Sequence, residues 1–269
     1  MCDMGLPRVI LDVMGRGCSA ERRKLLLADS TIRTLLSAPS HVHVLLVSDI
    51  VPWLCQTMAE MQLNCAIQKN AMGTICNMSM QSATTCHAAT LPGLIVLVID
   101  ELGTHNDSQI LQELGVRTLA LCLQNWRNVG GVIEKAGVIF MMRSIQRFGA
   151  MVRSIVEDVF SVILVFSCHN SERVYLQGAA QEHGGIARCT LDGMQQHDMA
   201  LGVQTLALRV ISKLIVGFSG MESRFHEQGG LAVVQRVMEV HDLDVASLKL
   251  ALLIIQRCRV VIPPPTPPN

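Results

Sequence analysis

The apolar residues Val203, Leu206, Ala207, Val210, Ile211, Leu214 and Ile215 recur at i, i+3, i+4, i+7, i+8, i+11 and i+12. That spacing draws a stripe along one face of an α-helix. Ile67, Ala71, Thr74, Ile75 and Met78 make a similar stripe, and a broader apolar surface runs from Val245 to Ile255. Two short polar stretches, SERVYLQGAAQEHGG from 171 and MESRFHEQGG from 221, each read as a short helix ending in a glycine turn. Only His41 to Val47 alternates as a strand would, and briefly. Proline stands at 7, 39, 52 and 92 and then only from 263 onward, so helix can follow helix between Gly93 and Ile262. Glycine makes the turns instead, in the pairs Gly130–Gly131, Gly184–Gly185 and Gly229–Gly230, with turns expected near 93, 137, 185 and 230.

The segments that open at 6, 50, 94, 138, 186 and 231 resemble one another, and their spacings are 44, 44, 44, 48 and 45 residues. A regular period of this length marks a solenoid of six units. His105, His197 and His241 run in step with it, 11, 11 and 10 residues after their anchors. Asp107, Asp198 and Asp242 follow within two residues, and Asn64 takes the similar place in the second unit. Asp and Asn accept from the free N–H groups at a helix start, so these residues are expected to cap the next helix. The histidines lie one repeat apart, too far to share an ion, so a turn is expected there and no metal.

Composition narrows the class. The chain has 269 residues, 50% hydrophobic, 16% charged and 3% aromatic, which excludes a disordered chain and favours a Leu, Ile, Val, Met and Ala core. Lys and Arg number 22 and Asp and Glu number 22, a balance that disfavours nucleic-acid binding. No apolar run approaches the length of a membrane span, and the beginning of the chain has no signal-peptide layout. Ten cysteines without CxxC spacing read as reduced, buried thiols of a cytoplasmic or nuclear protein, with neither disulfides nor zinc.

The pattern resembles armadillo repeats. The unit IVPWLCQTMAEMQLNCAIQKNAMGTICNMS, with Ile50, Pro52, Leu54, Ala71 and Asn77, is the nearest, and the units at Gly185 and Gly230 match in turn and long helix. The resemblance spans residues 6 to 258 and implies an all-α, right-handed α-solenoid of about six armadillo-like units, followed by a proline-rich tail at 263–269. It also implies a concave groove lined by the third helices. Where peptide-binding members carry an Asn ladder, this sequence has Thr34, Asn77, Leu121, Val165, Lys213 and Arg257. Only Asn77 keeps the type, and the tryptophan one turn earlier is replaced by Gly73 in the second unit. Recognition of basic nuclear-import peptides is therefore not expected.

The expected function is a non-catalytic protein-interaction scaffold that takes a partner segment in the groove. Asn77, Leu121, Val165, Arg209, Lys213 and Arg257 are the partner-binding candidates. Arg209 and Lys213 share a helix face at i, i+4. The groove would be apolar at Leu121 and Val165 and basic at its C-terminal end, suiting an acidic protein or peptide partner. The alternatives are a structural subunit of a larger assembly, cytoskeletal or flagellar for example, and a helical-repeat nucleic-acid binder. A mean hydropathy of +0.38 favours the first of these.

Candidate chemistry is weak. Gly15-Arg16-Gly17 before ERRK lacks a phosphate-loop spacing, and His226-Glu227 lacks the second His of a metalloprotease helix. Cys86–His87 and Cys168–His169 are adjacent in sequence and face different ways on a helix. Cys2 offers a lipidation site without a myristoylation signal, and the tail PPPTPP offers a polyproline II segment for a proline-reading domain. No catalytic residue, cofactor, metal or small-molecule substrate is expected.

Overall fold

The computed structural model describes residues 50–81, 92–124, 132, 137–167, 185–218 and 220–260. The first expected unit (6–49) with Thr34 and the Gly15 turn, the glycine pair at 130–131, the pairs Cys86–His87 and Cys168–His169, and the tail lie outside them. Eleven helices follow one another in the described residues: α1 (Ile50–Glu60), α2 (Cys65–Gln81), α3 (Pro92–Thr104), α4 (Gln109–Cys122), α5 (Gly137–Phe148), α6 (Arg153–Ser167), α7 (Gly185–Gln196), α8 (Leu201–Gly217), α9 (Met221–Glu227), α10 (Gly230–Val240) and α11 (Val245–Val260). No strand occurs among the described residues. The class is an all-α solenoid of armadillo-like repeats.

The chain divides into two compact units, Met1–Phe140 and Met141–Asn269. In the first, α1 packs on α2, α3 on α4, and the long helices α2 and α4 lie against each other. In the second, α6 packs on α8 and α8 on α11, while α7 and α10 cover their own long helices. The stripes read from the sequence supply this packing. Ile67, Ala71, Thr74, Ile75 and Met78 are all buried, as are Val203, Ala207, Val210, Ile211, Leu214 and Ile215, with Leu206 half-buried. Phe160, Phe166 and Phe225 are the largest fully buried side chains, each stabilising the fold by roughly 1.5–3 kcal/mol.

Two polar contacts repeat with the helices. Gln68, Gln112 and Gln204, each the fourth residue of its long helix, are buried. The Gln68 amide N–H₂ donates to the carbonyls of Met58 (2.8 Å) and Met61 (3.0 Å). Gln112 does the same to Leu102 (2.8 Å) and His105 (3.1 Å), and Gln204 to Met194 (2.9 Å) and His197 (2.9 Å). Each glutamine thus adds a side-chain donor to carbonyls where the preceding helix ends; those of Met61, His105 and His197 also accept from the N–H groups of Asn64, Ser108 and Ala200. Val156 and Leu248 stand at the matching places in α6 and α11, so the clamp is confined to three of the described long helices.

The histidines form the second contact. His105 Nε2 lies 2.6 Å from the Gln62 carbonyl, His197 Nε2 2.6 Å from that of Gly149, and His241 Nε2 2.6 Å from that of Asp198. A carbonyl only accepts, so each ring carries its proton on Nε2 and donates it to the turn of the preceding repeat. The turn expected at these histidines is present, and its side chains are spent on carbonyls.

The caps need correction. Asn64 does cap α2, its Oδ1 accepting from the Ile67 N–H at 3.2 Å. Asp107 and Asp198 do not: the N-cap residues of α4 and α8 are Ser108 and Ala200. At α11 the cap is Asp244, whose Oδ1 takes the Ser247 N–H at 2.6 Å, and not Asp242. A three-residue turn separates helix end from cap, which places the Asp beside the histidine inside the turn.

The glycine turns split in the same way. Gly185 and Gly229 do turn the chain in the left-handed region, at φ 81° and 78°. Gly93 and Gly137 instead lie in the first turns of α3 and α5. At Gly137 a Cβ would come within 2.7 Å of Val132, so that glycine serves close packing. The pair Gly229–Gly230 divides the tasks. Gly229 adopts the positive φ, and Gly230 lets the chain pass the Phe225 ring, which an added Cβ would meet at 2.4 Å.

Candidate partner-binding face

The buried Gln position sets a common register for the long helices. Asn77, Leu121 and Lys213 come nine residues after Gln68, Gln112 and Gln204, and Val165 and Arg257 come nine after Val156 and Leu248. The five side chains therefore occupy one equivalent place in α2, α4, α6, α8 and α11. Asn77 and Leu121 belong to the first unit, on helices that pack together, and both are half-buried. Val165, Lys213 and Arg257 belong to the second, on three helices packed in succession. There Val165 is half-buried and the two bases are exposed.

One turn earlier the equivalent residues are Gly73, Arg117, Ser161, Arg209 and Leu253. Arg117 is a residue that sequence reasoning passed over. It stands one turn before Leu121, half-buried, with its guanidinium 3.7 Å from Glu113. The first unit is thus not simply apolar at this place, contrary to expectation. The signal was there, since Arg117 and Arg209 each stand four residues before a ladder position, Leu121 and Lys213.

Arg209 also departs from expectation. Asp244, at the start of α11, is held below the usual carboxylate range, first by the Ser247 hydrogen bonds and further by the positive charge of Arg209. Arg209 therefore already has an anionic neighbour. Lys213 and Arg257 are exposed and have no ion-pair partner among the described residues. Acid lies toward the start of the same face, where Glu157 accepts from Arg153 at 3.3 Å and Asp158 is half-buried. In the second unit the face thus runs from acidic on α6 to basic on α8 and α11.

A separate concavity of about 330 Å³ lies among α7, α10 and Gln204. Met194, Ala232, Val237 and Val240 supply its apolar walls, and the Asp198–Arg236 pair at 3.3 Å its polar edge. Among the described residues no group of three or more His, Cys, Asp or Glu is disposed to hold a metal ion. Nor is any described helix long and apolar enough to cross a membrane.

The cysteines are not uniformly buried. Cys76, Cys122, Cys189 and Cys258 are, Cys55 is half-buried and Cys65 is exposed. Burial pushes the thiols of Cys55, Cys189 and Cys258 up to about 11.

No family model matches the chain, and no curated protein does. Solved structures do match it. A designed armadillo repeat protein aligns over 94% of this chain and 99% of its own, at 13% identity and a TM-score of 0.69. A second, described as in complex with the peptide (KR)4, aligns over 94% and 99%, at 14% identity and a TM-score of 0.67. A computationally designed armadillo repeat protein for modular peptide recognition aligns over 94% and 99%, at 14% identity and a TM-score of 0.69. At such identities the likeness establishes the armadillo-like fold, and the fold alone.

Proposed function

We propose that this chain is a non-catalytic scaffold whose second unit binds an acidic peptide segment across α8 and α11. The observation that carries the reading is the register: Lys213 and Arg257 hold one equivalent place on two packed helices, exposed and without a carboxylate partner among the described residues. Val165 in the same place on α6 offers an apolar contact. Packed helices lie roughly 10 Å apart, and an extended chain rises roughly 3.3 Å per residue, so carboxylates about three residues apart would meet both bases. The designed neighbour in complex with (KR)4 takes a basic peptide. The bases here select the opposite charge. A cytoplasmic or nuclear setting, where thiols stay reduced, belongs to the same reading.

Exposed ion pairs contribute only about 0–1 kcal/mol each, so affinity would rest on several pairs plus an aliphatic contact. The test is fluorescence anisotropy with a labelled peptide of Glu and Leu residues. Binding should weaken as salt rises, and Lys213→Glu with Arg257→Glu should weaken it by about tenfold. Equal binding by the double variant at high salt would contradict the reading.

One observation favours the structural-subunit alternative. Val245, Leu248 and Leu252, at i, i+3 and i+7 of α11, are exposed at 70%, 39% and 51%. Under that reading Leu248→Ser with Leu252→Ser would abolish an assembly seen by sedimentation and leave acidic-peptide binding unchanged.

A further inference from the structure

Cys65, His105 and Glu101 come together in the first unit, although 36 and 40 residues separate Cys65 from the other two. Cys65 is exposed, and its Sγ lies 3.3 Å from Nδ1 of His105. The other ring nitrogen of His105 is already committed as a donor, its Nε2–H reaching the Gln62 carbonyl at 2.6 Å. Nδ1 is therefore the bare, accepting nitrogen, and it faces the thiol. Glu101 completes the group. It is only 1% exposed, neither of its oxygens has a hydrogen-bond partner, and Oε2 lies 3.3 Å from His105 Nε2.

We infer that Cys65 is a nucleophilic thiol, with His105 as its base and Glu101 as the counter-charge, and that it exchanges with small-molecule disulfides. The Cys65 proton moves to His105 Nδ1, leaving a thiolate beside an imidazolium. The imidazolium keeps one N–H on the Gln62 carbonyl and has Glu101 Oε2 3.3 Å away, a carboxyl that offsets the charge when it is ionised. The thiolate attacks one sulfur of the disulfide RSSR. The new Cys65–S–SR bond forms as the S–S bond breaks, and the departing RS⁻ takes the proton from His105 Nδ1 and leaves as RSH. The Cys65 sulfur is oxidised and the departing sulfur is reduced, and no other reactant is needed. The turn at residues 59–66 forms an open depression of about 820 Å³ around the thiol, room enough for a small disulfide.

His197 and His241 make the same bond to a preceding carbonyl without this chemistry. Four residues before each stand Gly193 and Val237 instead of an acid, and the helices beside them begin with Arg153 and Leu201 instead of a cysteine.

The test is a time course with cystamine at neutral pH, on the folded chain and in urea, with the modified cysteine identified by peptide mass spectrometry. Folding can only slow a thiol by covering it, unless its surroundings activate it. Cys65 should react about tenfold faster in the folded chain than in the unfolded one. His105→Gln keeps a side-chain N–H for the Gln62 carbonyl and removes the base, so it should bring the folded rate down to the unfolded one. A Cys65 that reacts no faster folded than unfolded overturns the inference, as does a folded His105→Gln variant with the original rate. If His105→Gln does not fold, the wild-type ratio decides alone.

Discussion

In the first unit His105 reaches back to the Gln62 carbonyl and also touches a thiol and a buried carboxyl. In the second unit His197 and His241 reach back to Gly149 and Asp198 and have neither neighbour. The backbone contact is the same to within the hydrogen bond length, 2.6 Å in all three. The difference rests on two side chains, Cys65 and Glu101, placed by the repeat period on either side of one ring. A contact repeated for stability thus becomes a candidate for chemistry in one copy only. The second unit differs in the opposite direction: it carries the exposed bases Lys213 and Arg257 where the first has Asn77 and Leu121. The proposed thiol chemistry and the proposed partner binding thus fall in different units.

The largest effect should come from the glutamine clamps, which both units share. Gln68→Ala or Gln204→Ala would remove two side-chain hydrogen bonds to the turn carbonyls and cost up to about 3 kcal/mol, read from urea unfolding. A loss near zero in one unit would show that its turn reaches water. Next is the pH dependence of Glu101, which the second unit lacks. Burial, and secondarily the Asp100 charge, push its carboxyl from 4.5 up to about 7. The folded state thus holds this proton more tightly than the unfolded state. Its contribution to stability is greatest below pH 4.5 and is lost as pH rises through 7, on the order of 3 kcal/mol. Glu101→Gln should flatten that fall in a series of unfolding curves.

A similar loss is expected from Gly230→Ala, where the new Cβ would meet the Phe225 ring at 2.4 Å. It should cost roughly 1–3 kcal/mol, detected as a lower midpoint, and Phe225→Leu should relieve part of it. The smallest effect is that of His241→Ala, about 1 kcal/mol for one hydrogen bond between repeats, without any change in thiol reactivity.

Periodicity made the fold legible. The stripes at 67–78 and 203–215 are the buried faces, and His105, His197 and His241 do sit in turns. Local rules failed where two residues compete for one task. Asp107 and Asp198 have a capping residue's chemistry, yet the chain reaches its helix only at Ser108 and Ala200. Gln68, Gln112 and Gln204 were visible as the fourth residue of each long helix, 44 and 92 residues apart, but a polar residue beside an apolar stripe looks like surface. The register of Arg117 with Arg209 was already implied by the ladder positions Leu121 and Lys213, and the glutamines confirm it. The meeting of Cys65 with His105 was not legible, because no local spacing relates residues in successive repeats.

The central claim is that a partner's acidic segment lies on α8 and α11 of the second unit. Photo-crosslinking tests it most directly, using a Glu- and Leu-containing peptide with a benzophenone side chain and mapping the adducts by mass spectrometry. The account predicts adducts within Leu201–Gly217 and Val245–Val260 that vanish with Lys213→Glu plus Arg257→Glu. Adducts concentrated within Cys65–Gln81 and Gln109–Cys122, unchanged by that double variant, would contradict it.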